Sequence, residues 1–457
     1  MTMIYEFTVE NFRSFGSAQT LSLIKGKEQK KSENLISGPP GFPKAVCAAA
    51  VFGHNASGKS NLYLAMYTMW QIIVNSATGL NAGNPIPGIV PHRLDSQWTN
   101  KPTRFEVVFS MGHQVFRYGF SATEKMIVTE KLVEEFSTSR SRLLFERNSR
   151  TSGGVADVQF SNKFDKAVRD HVPKLTRDNA LILSSGANLN VPLLRGIYTH
   201  LSKRMVFVGP SPVSNTLELL AKDIQEDALF HHQLLGVLRD ADIGITNLRV
   251  QDPPELTDED IERFRQFIKP APQNPDIARE LASMLARQGK PRAILLEHES
   301  ADGGPIEFGW ADESQGTQLF ALLFFLVTRA LRGGSTVVAD EFGTSIHPLL
   351  AIRLVELFQN PENNRNGAQL LFTTHYSQLM TPELFRKDQI WITEKTPQGQ
   401  TELFSLADFR GEKYTRSSEA FEKNYLEGRY RGVGSFGPTL SGVPIGSSAN
   451  QEGGAKP

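Results

Sequence analysis

The pair of residues with the most specific chemistry in this sequence is a lysine followed by a serine, at the end of the octapeptide formed by residues 53–60. The pattern G-x-x-x-x-G-K-S predicts a loop whose backbone N–H groups converge on phosphate oxygens at the start of a helix. In such a loop the lysine binds the β- and γ-phosphates of a nucleoside triphosphate, and the serine hydroxyl binds Mg²⁺. The pattern therefore predicts binding of ATP with Mg²⁺ by Gly53, Asn55, Ala56, Ser57, Gly58, Lys59, Ser60 and Asn61.

The segments on either side of this phosphate loop (residues 53–60) support that interpretation. Residues 45–52 are apolar without interruption, which predicts a buried strand, and residues 61–70 predict a helix. The alternative is an ordinary glycine-containing turn, and the strand–loop–helix context makes it the weaker interpretation.

A second candidate group of residues is the acidic pair, Asp340 and Glu341, which follows a short β-branched strand at residues 336–339. A phosphate loop needs a carboxylate at the end of a neighbouring strand, and Asp340 would hold Mg²⁺ there. Glu341 lies one residue further along, where a carboxylate can act as general base toward the attacking water. Taken alone, such a pair is equally consistent with solvated acids at a strand end.

Two weaker signals accompany the acidic pair. Residues 313–317, E-S-Q-G-T, precede an apolar helix, so Ser314 and Gly316 could form a second anion site at its N-terminus. The ordinary alternative is a serine N-cap. His375 ends the next predicted strand, where it could contact a γ-phosphate as a catalytic residue, although a lone histidine at a strand end is more often structural.

The order of the predicted elements indicates an α/β fold. Strands alternate with helices after residue 293, at residues 336–339, 349–358, 369–374 and 389–393, which predicts a parallel sheet covered on both faces. Strands at residues 103–109 and 115–120 predict a hairpin within an antiparallel lobe. Helices at residues 215–239 and 257–269 predict a helical insertion. We therefore divide the chain into an N-terminal lobe (1–155), a helical insertion or lid (156–292), a C-terminal lobe (293–431) and a disordered tail (432–457).

Composition limits the choice of cellular setting. The chain has 457 residues with 49 basic and 49 acidic side chains, so its overall charge favours neither nucleic acid nor a membrane surface. Its one cysteine, Cys47, cannot form an intrachain disulfide and indicates a reducing compartment. The longest apolar run, residues 319–327, is shorter than the roughly 20 residues of a membrane span, and the N-terminus has no secretory signal. We expect a cytoplasmic protein without a membrane partner.

Together these motifs resemble the ATP-binding-cassette (ABC) ATPases, in the branch that contains SMC-like and OLD-like proteins and stand-alone AAA ATPases of bacteria. Residues 340–348 read D-E-F-G-T-S-I-H-P, similar to the loop after the second nucleotide-binding motif of that branch, although Phe342 stands where many relatives have proline. Residues 11–15, N-F-R-S-F, resemble its N-terminal motif, residues 373–375 its switch histidine, and residues 425–430 its closing motif.

The resemblance implies an ABC-ATPase head, a parallel-sheet core with an antiparallel β-lobe, that forms homodimers or higher homo-oligomers with ATP at the interface. Lys59 and Ser60 of one copy would face Ser314 and Gly316 of the other. The resemblance also implies that Arg13 contacts the nucleotide, and it leaves Gln97 as a candidate for the glutamine of the Q-loop.

Within this branch the chain has neither sustained heptads nor a Toprim nuclease segment after His375, so the profile resembles the ATPase subunits of antiphage systems such as PARIS and Septu. Such a subunit would be a slow ATPase that acts as a sensor and controls a separately encoded effector such as a Toprim-type nuclease, and DNA or a phage protein could be a further partner. The alternatives are an SMC-like DNA-binding ATPase for repair or recombination and a nucleotide-gated scaffold. A basic patch for DNA could consist of Arg140, Arg142, Arg147 and Arg150.

Overall fold

The structure is a computed structural model that describes residues 2–137, 139–149, 157–209, 214–241, 244–253, 292–409 and 420–432, together with residues 277 and 280. The predicted helix at residues 257–269 lies outside the described residues, as does the predicted tail after residue 432. Among the described residues, no helix has both the length and the apolar composition needed to cross a lipid bilayer.

The strands, in chain order, are β1 Thr2–Glu10, β2 Gln19–Ser22, β3 Leu35–Ile36, β4 Ala45–Val46, β5 Ala48–Phe52, β6 Thr103–Met111, β7 Gln114–Ala122, β8 Ile127–Ser137, β9 Arg140–Asn148, β10 Asp157–Phe160, β11 Met205–Val208, β12 Ile245–Gln251, β13 Ala293–Glu299, β14 Pro305–Gly309, β15 Thr336–Ala339, β16 Gln369–Thr373, β17 Ile390–Lys395 and β18 Thr401–Ser405. The helices are α1 Lys59–Asn75, α2 Ser96–Thr99, α3 Lys166–Leu175, α4 Ile182–Asn188, α5 Pro192–Arg204, α6 Ser214–Glu226, α7 Ala228–Asp240, α8 Gln315–Gly333, α9 Pro348–Gln359 and α10 Phe421–Leu426.

The central sheet has six strands in the order β11-β15-β16-β5-β17-β18, and all neighbours are parallel except the last pair. Strand β16 lies between β5, which leads into the phosphate loop, and β15, which leads into the acidic pair. Because the carboxyl ends of parallel strands meet at one edge of a sheet, this order brings the predicted site residues to the same edge.

Both faces of the central sheet are covered, as the alternation along β5 makes clear. Ala48, Ala50 and Phe52 belong to a core cluster that includes buried residues of α8 and α9. Ala49 and Val51 belong to the opposite cluster, which includes the apolar face of α1 and the antiparallel lobe. Side chains alternate between faces with period two, so the small alanines let α1 pack on one side and α8 and α9 on the other. The predicted α/β fold with a covered parallel sheet is confirmed.

The antiparallel lobe is a seven-stranded sheet in the order β10-β9-β8-β7-β6-β1-β2. The predicted hairpin is confirmed as β6 and β7, and each strand extends two residues beyond the predicted end, since pairing runs from Met111–Gln114 to Thr103–Ala122. Strand β10 pairs with β9 through Asp157 and Asn148. The sheet therefore continues past residue 155, the predicted boundary between the N-terminal lobe and the insertion. That domain boundary stays a prediction.

The segment predicted as a helical insertion also supplies strands to three sheets, because it contains β10 of the antiparallel lobe as well as β11 and β12. Strand β11 pairs in parallel with β15, and β12 begins the three-stranded antiparallel sheet β12-β13-β14. The single helix predicted at residues 215–239 is two helices, because Asp227 ends one and its carboxylate accepts a hydrogen bond from the backbone N–H of Phe230 at the start of the next. An aspartate in that position is a capping signal that periodicity alone does not reveal.

Candidate nucleotide site

The phosphate loop connects β5 directly to α1, as its pattern predicts. Gly58 precedes the helix with φ 117°, a conformation that residues with a Cβ rarely adopt, and an added Cβ would lie 2.2 Å from Thr401 Oγ1. At Gly53 an added Cβ would lie 2.4 Å from Thr393 Oγ1. Both glycines are therefore required by close approach of β17 and β18, besides any contact with a ligand.

Lys59 is a buried residue of the loop, with 5% of its surface exposed. Its Nζ donates hydrogen bonds to the carbonyl oxygens of Gly53, at 2.7 Å, and His54, at 3.1 Å. Burial lowers the pKa of Lys59 from 10.5 to about 8, while the carboxylates of Asp340 and Glu341 act in the opposite direction. A buried ammonium whose hydrogen bonds among the described residues all go to neutral carbonyl oxygens favours an anionic ligand, which is the chemistry of a triphosphate.

The acidic pair is held by a threonine that the sequence did not single out. Thr373, at the end of β16, donates its hydroxyl to Asp340 Oδ1 at 2.6 Å and accepts the backbone N–H of Glu341 at 2.9 Å. Glu341 has φ 53°, an uncommon conformation for a residue with a side chain, and it begins the turn that leads to α9. Thr373 therefore fixes both the carboxylate of one acid and the backbone of the other.

Electrostatic interactions join these groups to His375. Burial lowers the pKa of His375, the Lys59 ammonium lowers it further, and the carboxylates of Glu341 and Asp340 oppose that change. Asp340 also contributes to raising the pKa of Tyr63, whose value of about 12 is due first to burial. The structure thus brings the catalytic candidates and Lys59 together at one edge of the sheet, as the sequence predicts.

The N-terminal motif reaches the phosphate loop through a hydroxyl network. Ser14 Oγ accepts hydrogen bonds from Asn61 Nδ2, at 2.7 Å, and from Thr401 Oγ1, at 2.8 Å. Thr401 Oγ1 also lies 2.8 Å from the carbonyl oxygen of Ser57. Arg13, next to Ser14, has an exposed side chain and φ 50°. The motif is placed beside the loop, and contact between Arg13 and a nucleotide stays a prediction.

The signature turn, residues 313–317, starts helix α8. Ser314 caps the helix by accepting the backbone N–H of Thr317 at 3.1 Å, and its side chain is exposed. An added Cβ on Gly316 would lie 2.8 Å from the carbonyl oxygen of Ser345, in the loop after the acidic pair. Among the contacts of the described residues, none joins Ser314 or Gly316 to the phosphate loop of the same chain.

Comparison with known families agrees with this geometry. The family described as "AAA domain, putative AbiEii toxin, Type IV TA system" matches residues 48–381, which is most of the chain. The chain belongs to this AAA family. No curated protein matches it. A solved structure of "the SmcHead bound to the C-winged helix domain of ScpA" has 11% sequence identity over 90% of this chain and 98% of that chain, with a TM-score of 0.40.

As an AAA-family ATPase, the protein has a donor set that fits Mg²⁺. Ser60 is half-buried in the first turn of α1 and Asp340 is oriented by Thr373, so one hydroxyl and one carboxylate are available at this edge. Among the described residues no three His, Cys, Asp or Glu side chains gather into a metal cage. Mg²⁺ in phosphate-transfer sites is usually held by one or two protein oxygens, water and the phosphates, so a sparse donor set fits this ion.

Two residues of this AAA ATPase that the sequence suggested as functional, the Q-loop candidate Gln97 and the DNA-contact candidate Arg147, make other contacts in the structure. Gln97 lies in α2, where its backbone and side-chain amides donate to the carboxylate of Asp95, and no contact of the described residues joins it to the acidic pair. The interpretation of Arg147 as part of a basic patch for DNA is wrong, because this residue is 2% exposed. Its guanidinium donates to the carbonyl oxygen of Ala180 at 2.7 Å. It offsets the charge of the buried Glu130.

The rest of the predicted basic patch is weaker than its composition suggests. Arg142 forms an ion pair with Glu134 and packs over the ring of Phe136, while Arg140 is exposed. Arg150 lies outside the described residues. With Arg147 in the interior and Arg142 paired, the described part of this hairpin offers one free arginine to a phosphate backbone, which does not favour a DNA-binding surface.

Proposed function

We propose that this ATPase slowly hydrolyses ATP as a homodimer, or a higher homo-oligomer, with ATP at the interface, and that its nucleotide state controls a separately encoded effector of an antiphage defence complex. The observation that carries the proposal is the convergence of Lys59, Asp340, Glu341 and His375 at one edge of the sheet. The regulatory part is supported by the description of the matching family, which names a toxin of a type IV TA system.

The residues of one chain supply most of the chemistry. The phosphate loop and Lys59 bind the phosphates, while Ser60 and Asp340 hold Mg²⁺, which neutralises charge on the phosphates when bound. Thr373 keeps Asp340 in place, and Glu341 accepts a proton from the attacking water. His375 interacts electrostatically with Lys59 and Glu341. A hydrogen bond from His375 to the terminal phosphate would stabilise charge that develops during cleavage.

The second copy supplies what one chain lacks. Ser314 is an exposed residue at the N-terminus of α8, a position that favours an anion. Because Ser314 contacts no phosphate-loop residue of its own chain among the described residues, we propose that it completes the site of a partner copy. Two equivalent sites then follow from the symmetry of a dimer.

Complementation between two inactive variants tests this arrangement. Lys59→Ala removes the phosphate-binding lysine and Ser314→Arg blocks the signature turn, so each variant alone should lose hydrolysis. In an equal mixture, half of randomly paired dimers are mixed and each has one intact site, so about a quarter of the wild-type rate should return. No recovery, with both variants folded and able to exchange chains, would refute the shared site.

The effector is tested in the native host. Glu341→Gln should retain ATP and lock the dimer, because the general base is lost while the binding groups remain. A tagged Glu341→Gln chain should enrich one companion protein, and the tagged Lys59→Ala chain should not. If both variants recover the same proteins, or if neither enriches a companion during phage infection, the proposed control of an effector in the cytoplasm is wrong.

A further inference from the structure

The strongest unassigned feature next to the proposed site is a histidine–glutamate pair before Ser314, in which the His298 side chain is 23% exposed and the Glu313 side chain is largely buried. His298 Nε2 lies 2.7 Å from Glu313 Oε1, and the Glu313 side chain is 8% exposed. Because an ionised carboxylate only accepts hydrogen bonds, the Nε2–H of His298 donates. Among the described residues no other group hydrogen-bonds to this carboxylate, so its burial depends on one partner.

The pair connects a separate sheet to the signature turn. His298 is on β13, the middle strand of the sheet β12-β13-β14, and its ring packs edge-on against Phe308 of β14 with centroids 5.1 Å apart. The chain then passes from β14 through a short turn to Glu313. Gln318 of α8 connects the helix to the same turn, because its side-chain amide donates hydrogen bonds to the carbonyl oxygens of Trp310, at 2.9 Å, and Glu313, at 3.0 Å.

The same turn contacts the loop that follows the acidic pair. The carbonyl oxygen of Ser345 approaches Gly316 so closely that no Cβ fits there. Contacts therefore run without interruption from β13 through Glu313 and Gly316 to Ser345, four residues beyond Glu341. A displacement of the sheet would reach both Ser314 and the backbone that carries the general base.

We propose that His298 is a positioning residue for ATP hydrolysis, which holds the signature turn through Glu313 in the orientation that the partner copy's nucleotide needs. This inference rests on the proposed shared site. It assigns to the three-stranded sheet the task of setting the turnover rate, so a protein that binds this sheet would alter hydrolysis without touching the phosphate loop.

The test separates positioning from nucleotide binding. His298→Phe keeps an aromatic ring and removes the donor, so kcat should fall by about tenfold, since a hydrogen bond to a charged group is lost. The dissociation constant of ATP for the monomeric chain should stay within about twofold, because Lys59 is untouched. His298→Gln, which retains an N–H donor, should recover part of kcat. The matched control is His113→Phe in the exposed β6–β7 turn, which should leave kcat unchanged.

Several outcomes would overturn the inference. If His298→Phe keeps kcat within about twofold of wild type while Ser314→Arg abolishes hydrolysis, the shared site stands and the role of His298 is wrong. Loss of kcat that His298→Gln does not restore, or a matching loss of ATP binding, would indicate general damage and also refute positioning. If Ser314→Arg itself leaves hydrolysis unchanged, the proposed function fails first, whatever His298→Phe does.

Discussion

Replacing Thr373 by valine is the sharpest test of the site, because the change removes one hydroxyl and preserves the shape of a buried side chain. That hydroxyl donates to Asp340 at 2.6 Å and accepts the N–H of Glu341 at 2.9 Å. A hydrogen bond to a charged group contributes about 1.5–3 kcal/mol, and a backbone N–H left without an acceptor costs about 1–3 kcal/mol. Asp340 is half-buried, so water can replace part of the hydrogen bonding that its carboxylate loses. We therefore expect a decrease of about 2–3 kcal/mol in the free energy of unfolding.

The effect on catalysis should exceed the effect on stability. Without Thr373 Oγ1 both the carboxylate of Asp340 and the backbone of Glu341, the proposed metal ligand and general base, can shift, and a misplacement of about 1 Å can lower a rate by about a hundredfold. We therefore expect kcat of Thr373→Val to fall by about ten- to a hundredfold, measured by phosphate release at saturating ATP and Mg²⁺. Thermal unfolding without nucleotide measures the stability part.

The chain offers a matched control for this substitution. Thr336, at the start of β15, is 1% exposed, and its Oγ1 has no hydrogen-bond partner among the described residues. Thr336→Val removes an unsatisfied buried hydroxyl, so stability should stay equal or rise and kcat should not change. Should Thr373→Val retain kcat within about twofold of wild type while remaining folded, the hydroxyl does not organise the acidic pair.

Three further results are expected. Because burial lowers the pKa of Lys59 to about 8, its ammonium loses its proton above that pH in the nucleotide-free chain, so ATP affinity measured by calorimetry should weaken by up to about tenfold per pH unit above pH 8. Gly316→Ala places a Cβ 2.8 Å from the Ser345 carbonyl oxygen, so turnover should fall severalfold while ATP binding to the monomer persists. Arg147→Gln leaves Glu130 buried without its cation, so thermal unfolding should report a loss of about 3–5 kcal/mol.

Each of these results has an internal comparison. ATP affinity that stays constant between about pH 7 and about pH 9.5 would contradict the lowered pKa of the lysine. Gly236→Ala adds a Cβ in open space on α7 and should leave turnover unchanged, so equal effects of the two glycine variants would contradict crowding at the signature turn. Arg140→Gln alters an exposed arginine of the same hairpin strand and should leave stability within about 0.5 kcal/mol of wild type.

The residues that could be predicted from sequence are those whose type and spacing already specify chemistry. Lys59 belongs to an octapeptide with two fixed glycines, and Asp340 with Glu341 follows a β-branched strand, so local pattern alone locates both. Thr373 could not be found in this way, because threonine at a strand end is ordinary. Its role comes from the strand order, which places β16 between the phosphate-loop strand and the acidic-pair strand.

The misassigned regions share another cause. Arg147 has the composition of a surface patch, but β9 alternates between faces, and this register turns its guanidinium toward Glu130 and the segment around Ala180. Strand β11 is four residues between helices, and it becomes a strand because β15 offers a free edge in the central sheet. In both cases a partner distant in sequence determines the burial or the secondary structure, so local periodicity cannot predict it.

The phosphate loop itself illustrates how far that dependence extends. Its glycines permit the curved backbone, and segments from both ends of the chain hold it in place: Ser14 and Thr401 bond each other across 387 positions, and Thr401 bonds Ser57 across 344. The backbone N–H of His54 donates to the carbonyl oxygen of Gly432 at 2.9 Å. An octapeptide with the same sequence but without these neighbours would lose the contacts that fix its curvature before ATP arrives. Preorganised N–H groups bind phosphate without further ordering, so ATP affinity in this protein is a property of the N-terminal motif, the loop and the last described residues together.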